Sequence, residues 1–210
     1  MVYENALQHL QTADPILARV IAQVGACRLR PDRRQSPFAA LVEAVVHQQL
    51  TGKAAQTILG RVKALHAQKP FPGPEDLLGT SEADLRAAGL SRAKAAALKD
   101  ISAKTLDGVI PNARALARLD DDEIVERLTT LRGVGRWTVE MLLIFKLGRL
   151  DVLPVNDYGV RKGFAVTYRK RALPTPAALL AHGERWRPYR SVASWYLWRA
   201  LELERKPKEK

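Results

Sequence analysis

Apolar residues recur at three- and four-residue intervals along most of this chain, and runs alternating with period two are nearly absent. The pattern predicts helices, and the punctuation places their ends. Asp14-Pro15 opens a helix to about Val24. Ser36-Pro37 is a cap followed by proline at the first helical position, with Phe38, Leu41, Val42, Val45 and Val46 on one stripe. Thr51 caps the next helix, with Ile58, Val62 and Leu65 expected inward, and Lys69–Pro74 reads as a loop. Ser81 with Asp84 resembles a capping box, Gly89 stops that helix, and Ser91 starts another over Ala93, Ala96, Ala97 and Ile101. Asp120 with Glu123 opens a helix to about Thr130, and Arg136–Leu147 forms the next. Asp157 caps one reaching about Tyr168, Thr175 starts another, and Pro188 begins the last. The expected class is all-α, with about ten helices.

Length and charge narrow the picture. With 210 residues the chain can build one substantial core or two small subdomains. Its net charge is +12 and its pI about 10.1, which points to a polyanionic partner, nucleic acid being the commonest. From Asp157 onward thirteen Lys and Arg face five acids, so that quarter of the chain holds +8. The single cysteine, Cys27, excludes an internal disulfide and any cysteine-based zinc or iron–sulfur site. No leader and no run of bilayer-spanning length is expected, so the cytosol, or the compartment that holds DNA, is the expected location.

Candidate chemistry centres on Leu131-Arg132-Gly133-Val134-Gly135-Arg136-Trp137-Thr138 between two predicted helices. Gly133 and Gly135 lack the Cβ atoms that hold a phosphate away, the Arg136 helix offers unpaired N–H groups, and Val134 is expected to anchor the turn inward. Such a contact grips a backbone without reading sequence. Gly89-Leu90-Ser91-Arg92-Ala93-Lys94 is a fainter echo of this turn. Downstream, Asp157 at a helix start reads either as a plain N-cap or as an ionised carboxylate available for chemistry. Asn156 is a nearby alternative, and Asp151 a more distant one.

Residues Thr129 to Asp157 resemble the helix-hairpin-helix superfamily of base-excision DNA glycosylases. Val46-His47-Gln48-Gln49-Leu50-Thr51-Gly52-Lys53-Ala54-Ala55, the Gly89 turn and Trp186-Arg187-Pro188-Tyr189-Arg190-Ser191 draw the resemblance towards the 3-methyladenine DNA glycosylase II branch. It spans roughly Asp14 to Leu203. It implies two helical subdomains flanking a cleft, with the hairpin motif at about 120–147. The expected division is an inner subdomain at about 36–120, the hairpin and catalytic Asp at about 120–168, a second subdomain from 1–35 with 169–204, and a basic tail at 205–210.

The resemblance also implies roles. Asp157 is the catalytic carboxylate, and Trp137, Tyr158, Trp198 and Met141 line the base pocket, Met141 standing where the family often has an aromatic. Gln49 matches the wedge that fills the space of an extruded base, with Leu50 beside it and Gln48 readable as an ordinary polar helix end. Gly133, Val134, Gly135, Arg136 and Thr138 are expected to grip DNA; Arg190 is a phosphate or a structural contact. Catalysis needs no cofactor, but backbone carbonyls of Thr129, Leu131 and Val134 are implied to hold a structural Na+ or K+. Strand-cutting relatives carry Lys where Trp137 stands, so the implied enzyme is a monofunctional hydrolase of alkylated bases, acting as a monomer on damaged double-stranded DNA. A non-catalytic architectural binder would need the hairpin and charge alone; a glycosylase for an oxidised, deaminated or mismatched base is the other alternative.

Overall fold

Proline and serine begin the helix that organises the larger half. Ser36 Oγ accepts the Ala39 N–H at 3.2 Å and Pro37 occupies the first turn of α3 (Pro37–His47). Phe38, Leu41, Val42, Val45 and Val46 are all buried. Burying such side chains contributes about 1.5–3 kcal/mol each, and α3 buries several faces at once. The computed structural model describes residues 3–205 and, among them, thirteen α-helices and no strand. Chain contacts divide them into two units, Asp32–Leu147 and Met1–Pro31 with Gly148–Lys210.

In the first unit α3 packs on α4 (Gly52–Ala64), α7 (Arg92–Leu106) and α10 (Arg136–Leu142), and α7 also carries α5 (Pro74–Gly79) and α6 (Glu82–Ala87). The short α8 (Ala113–Leu116) leads into α9 (Asp121–Leu128), which packs on α10. A five-residue π-helical stretch, Leu143–Leu147, prolongs α10, and Gly148 at φ +70 ends it.

In the other unit α1 (Glu4–Ala13) and α2 (Pro15–Val24) join α11 (Tyr158–Thr167), α12 (Pro176–Gly183) and α13 (Arg190–Arg205). The α11–α13 pair is its most extensive contact. Gly163 permits it, because a Cβ there would run into the Leu197 backbone.

Most caps stand where expected, with differences of register and extent. In α4 the inward residues are Ala55, Leu59 and Val62, while Leu65 is 42% exposed and Ile58 half-buried. Ala95, Ala97, Leu98 and Ile101 form the buried face of α7, and Ala93 is exposed. The last helix starts at Arg190, two residues beyond Pro188. The unit boundary falls at Gly148 and not near 168, since α11 buries Val160, Phe164 and Ala165 within the unit of α13. Of the expected tail, residues 206–210 lie outside the described residues.

Candidate nucleic-acid interface and active site

The hairpin belongs to the first unit. Asp120 caps α9 through the Glu123 N–H at 2.7 Å, and the turn closes with Val134 N–H donating to the Leu131 carbonyl at 3.1 Å. Leu131 and Val134 are buried at 2% and 4% exposure, so the turn is anchored from inside. Gly133 has φ +77, and a Cβ there would approach Ala97 Cβ at 3.2 Å. Gly135 is the N-cap of α10 and brings no side chain to its first turn. Arg136 is exposed and pairs with Glu140 at 3.1 Å. Thr138 departs from expectation: at 5% exposure its side chain belongs to the interior and cannot grip a backbone.

Trp137 is 45% exposed, whereas Met141 and Thr138 line a cavity of about 200 Å3 with Leu41, His47 and Phe145. The loop after α3 holds Gln49 at φ +57, exposed, next to Leu50 at 39% exposure. Gln48, readable from sequence as a plain helix end, donates through Nε2 to the Gly133 carbonyl at 2.9 Å. Lys104 donates to the Thr130 carbonyl at 2.7 Å. The carbonyls of Thr129, Leu131 and Val134, to which the resemblance assigns a cation, are not the two these side chains occupy, and neutral carbonyl oxygens suit a hard monovalent ion.

The carboxylate belongs to the other unit. Asp157 caps α11, its Oδ1 accepting the Val160 N–H at 2.7 Å and the Trp198 indole N–H at 2.8 Å. Both readings of this residue therefore share one geometry: capping fixes the carboxylate, and an indole steers it. Gly159 makes the second contact possible, since a Cβ there would sit 2.8 Å from Trp198 Cδ1. Tyr158 is 65% exposed beside the carboxylate, and Trp198 is half-buried beneath it.

Of its two readings, Arg190 has the geometry of the structural contact. Its side chain, 11% exposed, binds Asp151 through Nε to Oδ1 at 2.7 Å and Nη2 to Oδ2 at 3.0 Å. Arg187 adds a 2.8 Å bond to the same carboxylate, which removes Asp151 from the catalytic candidates. No signal in the sequence separated this ion pair from a phosphate site. Sequence reasoning also passed over Gly159, although a glycine in the first turn of a helix, where no turn requires it, hints at close packing.

Among the described residues no helix is long and apolar enough to cross a membrane. The profile of HhH-GPD superfamily base excision DNA repair proteins matches residues 42–188. DNA-3-methyladenine glycosylase 1 of Schizosaccharomyces pombe is 40% identical over 198 residues, covering 93% of this chain and 86% of the relative. The structure of the S. pombe 3-methyladenine DNA glycosylase Mag1 in complex with abasic DNA superposes with a TM-score of 0.83, covering 93% of this chain and 95% of that one. A DNA-3-methyladenine glycosidase structure from Bacillus halodurans, 34% identical, gives 0.84 over 93% of this chain and 88% of that one. The hairpin, the capped aspartate and the all-helical fold thus share one origin: this chain belongs to the HhH-GPD superfamily of base excision DNA repair proteins.

Proposed function

We propose that this protein is a monofunctional DNA glycosylase that extrudes alkylated, 3-methyladenine-type bases from duplex DNA and hydrolyses their N-glycosidic bond. The observation that carries the reading is the Asp157 carboxylate, held by the Val160 amide and the Trp198 indole, in a chain 40% identical to a 3-methyladenine glycosylase. Bond breaking leaves positive charge on the deoxyribose, and a pre-positioned anion stabilises that state without reorganising. Water adds its oxygen to the anomeric carbon and loses a proton, while the base departs with the bonding electron pair. A base already alkylated at a ring nitrogen is cationic and leaves neutral, so no general acid is required.

The hairpin N–H groups of Gly133, Gly135 and Arg136 grip a phosphate, and Gln49 with Leu50 fills the space the base vacates. Tyr158, exposed and adjacent to Asp157 in the chain, presents an electron-rich face to a cationic base, worth about 1–2 kcal/mol when water is excluded. Na+ or K+ on the carbonyls of Thr129, Leu131 and Val134 would supply a bridge from hairpin to phosphate. Trp137 offers no amine in the register where strand-cutting relatives carry lysine, so the product is an intact strand with an abasic site. The protein works as a monomer, in the compartment that holds the DNA.

The test is release of free base from duplexes carrying single 3-methyladenine, 7-methylguanine, ethenoadenine, hypoxanthine or uracil residues. Alkylated purines are expected to be released first, with no strand cleavage and no borohydride-trapped imine. Asp157→Asn should reduce the rate by ~10²-fold or more while DNA binding persists. Undiminished release by that variant, or binding with no release from any duplex, would overturn the reading.

A further inference from the structure

Helix α7 carries, along one face, a row of contacts to both loops that the glycosylase reading assigns to DNA. Lys94 Nζ donates to the carbonyls of Val46 at 2.8 Å and Gln48 at 2.7 Å. One turn on, Ala97 lies under Gly133. Asp100 Oδ2 accepts the Arg132 N–H at 2.7 Å, and Lys104 reaches both Asp100 at 3.1 Å and the Thr130 carbonyl at 2.7 Å. Spacings of three and four residues put these four side chains on one helical face. The two loops are themselves joined by the Gln48–Gly133 bond of 2.9 Å.

Gln49 is the residue between the held points. Its φ of +57 is a conformation that a side chain with a Cβ adopts at a cost in free energy, and it persists only where the surroundings impose it. Lys94 is half-buried, and burial pushes its pKa down, so its position works against its own charge. A lysine that merely capped α3 would satisfy carbonyls of the helix's last turn, such as that of Val46. The Gln48 carbonyl lies past the end of α3 (Pro37–His47) and immediately precedes Gln49.

We propose that Lys94 is a positioning residue for base extrusion: by holding the carbonyls of Val46 and Gln48 it imposes the left-handed backbone at Gln49, so that the wedge enters the duplex in register with the phosphate gripped by the hairpin. The inference rests on the glycosylase reading for the roles of the two loops. It separates a step that depends on Lys94, opening the base pair, from one that does not, cleavage at an anomeric carbon already extruded.

The test uses the full chain and two single-turnover substrates carrying 3-methyladenine or 7-methylguanine, whichever the parent releases faster. In one the lesion is paired; in the other it sits in a one-nucleotide bulge, where no pair has to open. A neighbouring 2-aminopurine reports loss of stacking. Lys94→Met is expected to slow release from the paired duplex about tenfold, the scale of a misplaced positioning group. It should blunt the 2-aminopurine rise and change release from the bulge less than about twofold. Lys94→Arg, which keeps a cation and its donors, is expected to restore the paired rate. Equal losses on both substrates, or no loss on either, would overturn the proposal. Should Lys94→Met fail to fold, Gln48→Leu cuts the tie to Gly133 and must show the same split. A parent that releases no base from either substrate would sink the glycosylase reading itself, while the 2-aminopurine arm still tests Lys94.

Discussion

A single carboxylate oxygen, Oδ1 of Asp157, receives both the first-turn amide of α11 and the Trp198 indole N–H. Hydrogen bonds to a charged acceptor are worth about 1.5–3 kcal/mol, and their directions fix the plane of the carboxylate. Trp198→Phe keeps a ring beneath the site and deletes the donor. Single-turnover base release should fall about tenfold, which corresponds to 1.4 kcal/mol, with DNA affinity unchanged. Gly159→Ala should produce a similar fall by pushing the indole away, because the new Cβ would lie 2.8 Å from Cδ1. Combining the two changes should add little, since both break one contact. Full multiplicativity in the double variant would place Trp198 in base stacking alone. The sequence exposed Asp157 as a cap and Trp198 as an aromatic, but not their bond. Its partners stand 41 residues apart, and nothing periodic links them.

At the level of elements, capping chemistry was legible and packing register was not. Ser36, Thr51, Ser81, Ser91, Asp120, Asp157 and Thr175 all accept N–H bonds at helix starts, because a short side chain there answers a purely local need. Helices α1, α5 and α8 escaped notice; the last two have six and four residues, too few to show a period. The slip of one position in α4 arises because Ile58 and Leu59 are adjacent and equally apolar, so only tertiary contact decides between them.

The Asp14 hub was hidden for a similar reason, although Asp14 was recognised as a helix start. Its Oδ1 takes the N–H groups of Ile16 and Leu17, and Oδ2 takes Tyr168 Oη, His182 Nε2 and Trp186 Nε1, tying α2 to α11 and α12. Burial raises the pKa of this carboxyl, but the bonds from His182, Tyr168, Leu17 and Trp186 outweigh it and hold the group well below the usual carboxylate range. A depressed folded-state value means stability that is present above the unfolded pKa, near 4. That stability is lost as pH falls below this toward the folded value. Asp14→Asn should therefore cost about 3 kcal/mol at pH 7 and flatten the decline in stability below about pH 4. Urea unfolding across that range measures both. A variant as acid-sensitive as the parent would shift the acid limb to other carboxylates.

At the scale of the whole molecule, the charge gathers in the unit of the carboxylate, as the count from Asp157 onward implies. The unit holding the hairpin carries seventeen basic residues against fourteen acids, a net of +3, whereas the unit of Asp157 carries seventeen against eight, a net of +9. On the proposed reading the hairpin grips through backbone N–H groups and needs little formal charge. Lysine and arginine around the carboxylate unit must then supply most of the long-range attraction to DNA, apart from Arg187 and Arg190, which Asp151 and Glu184 neutralise. Each neutralised phosphate releases counterions, so the logarithm of the association constant falls linearly with that of salt, at about 0.9 per contact. The expected slope is steeper than about −3, and it should be the same for damaged and undamaged duplexes, because backbone contacts do not report the base. Fluorescence anisotropy between 50 and 200 mM salt, the range over which about six contacts cost roughly 10³ in affinity, gives the value directly. A shallower slope would mean that the surplus cations form a solvated face and do not touch the backbone. A steep slope that differs between damaged and undamaged duplexes would mean instead that extrusion recruits further phosphate contacts, and the footprint would then have to be counted on the opened duplex.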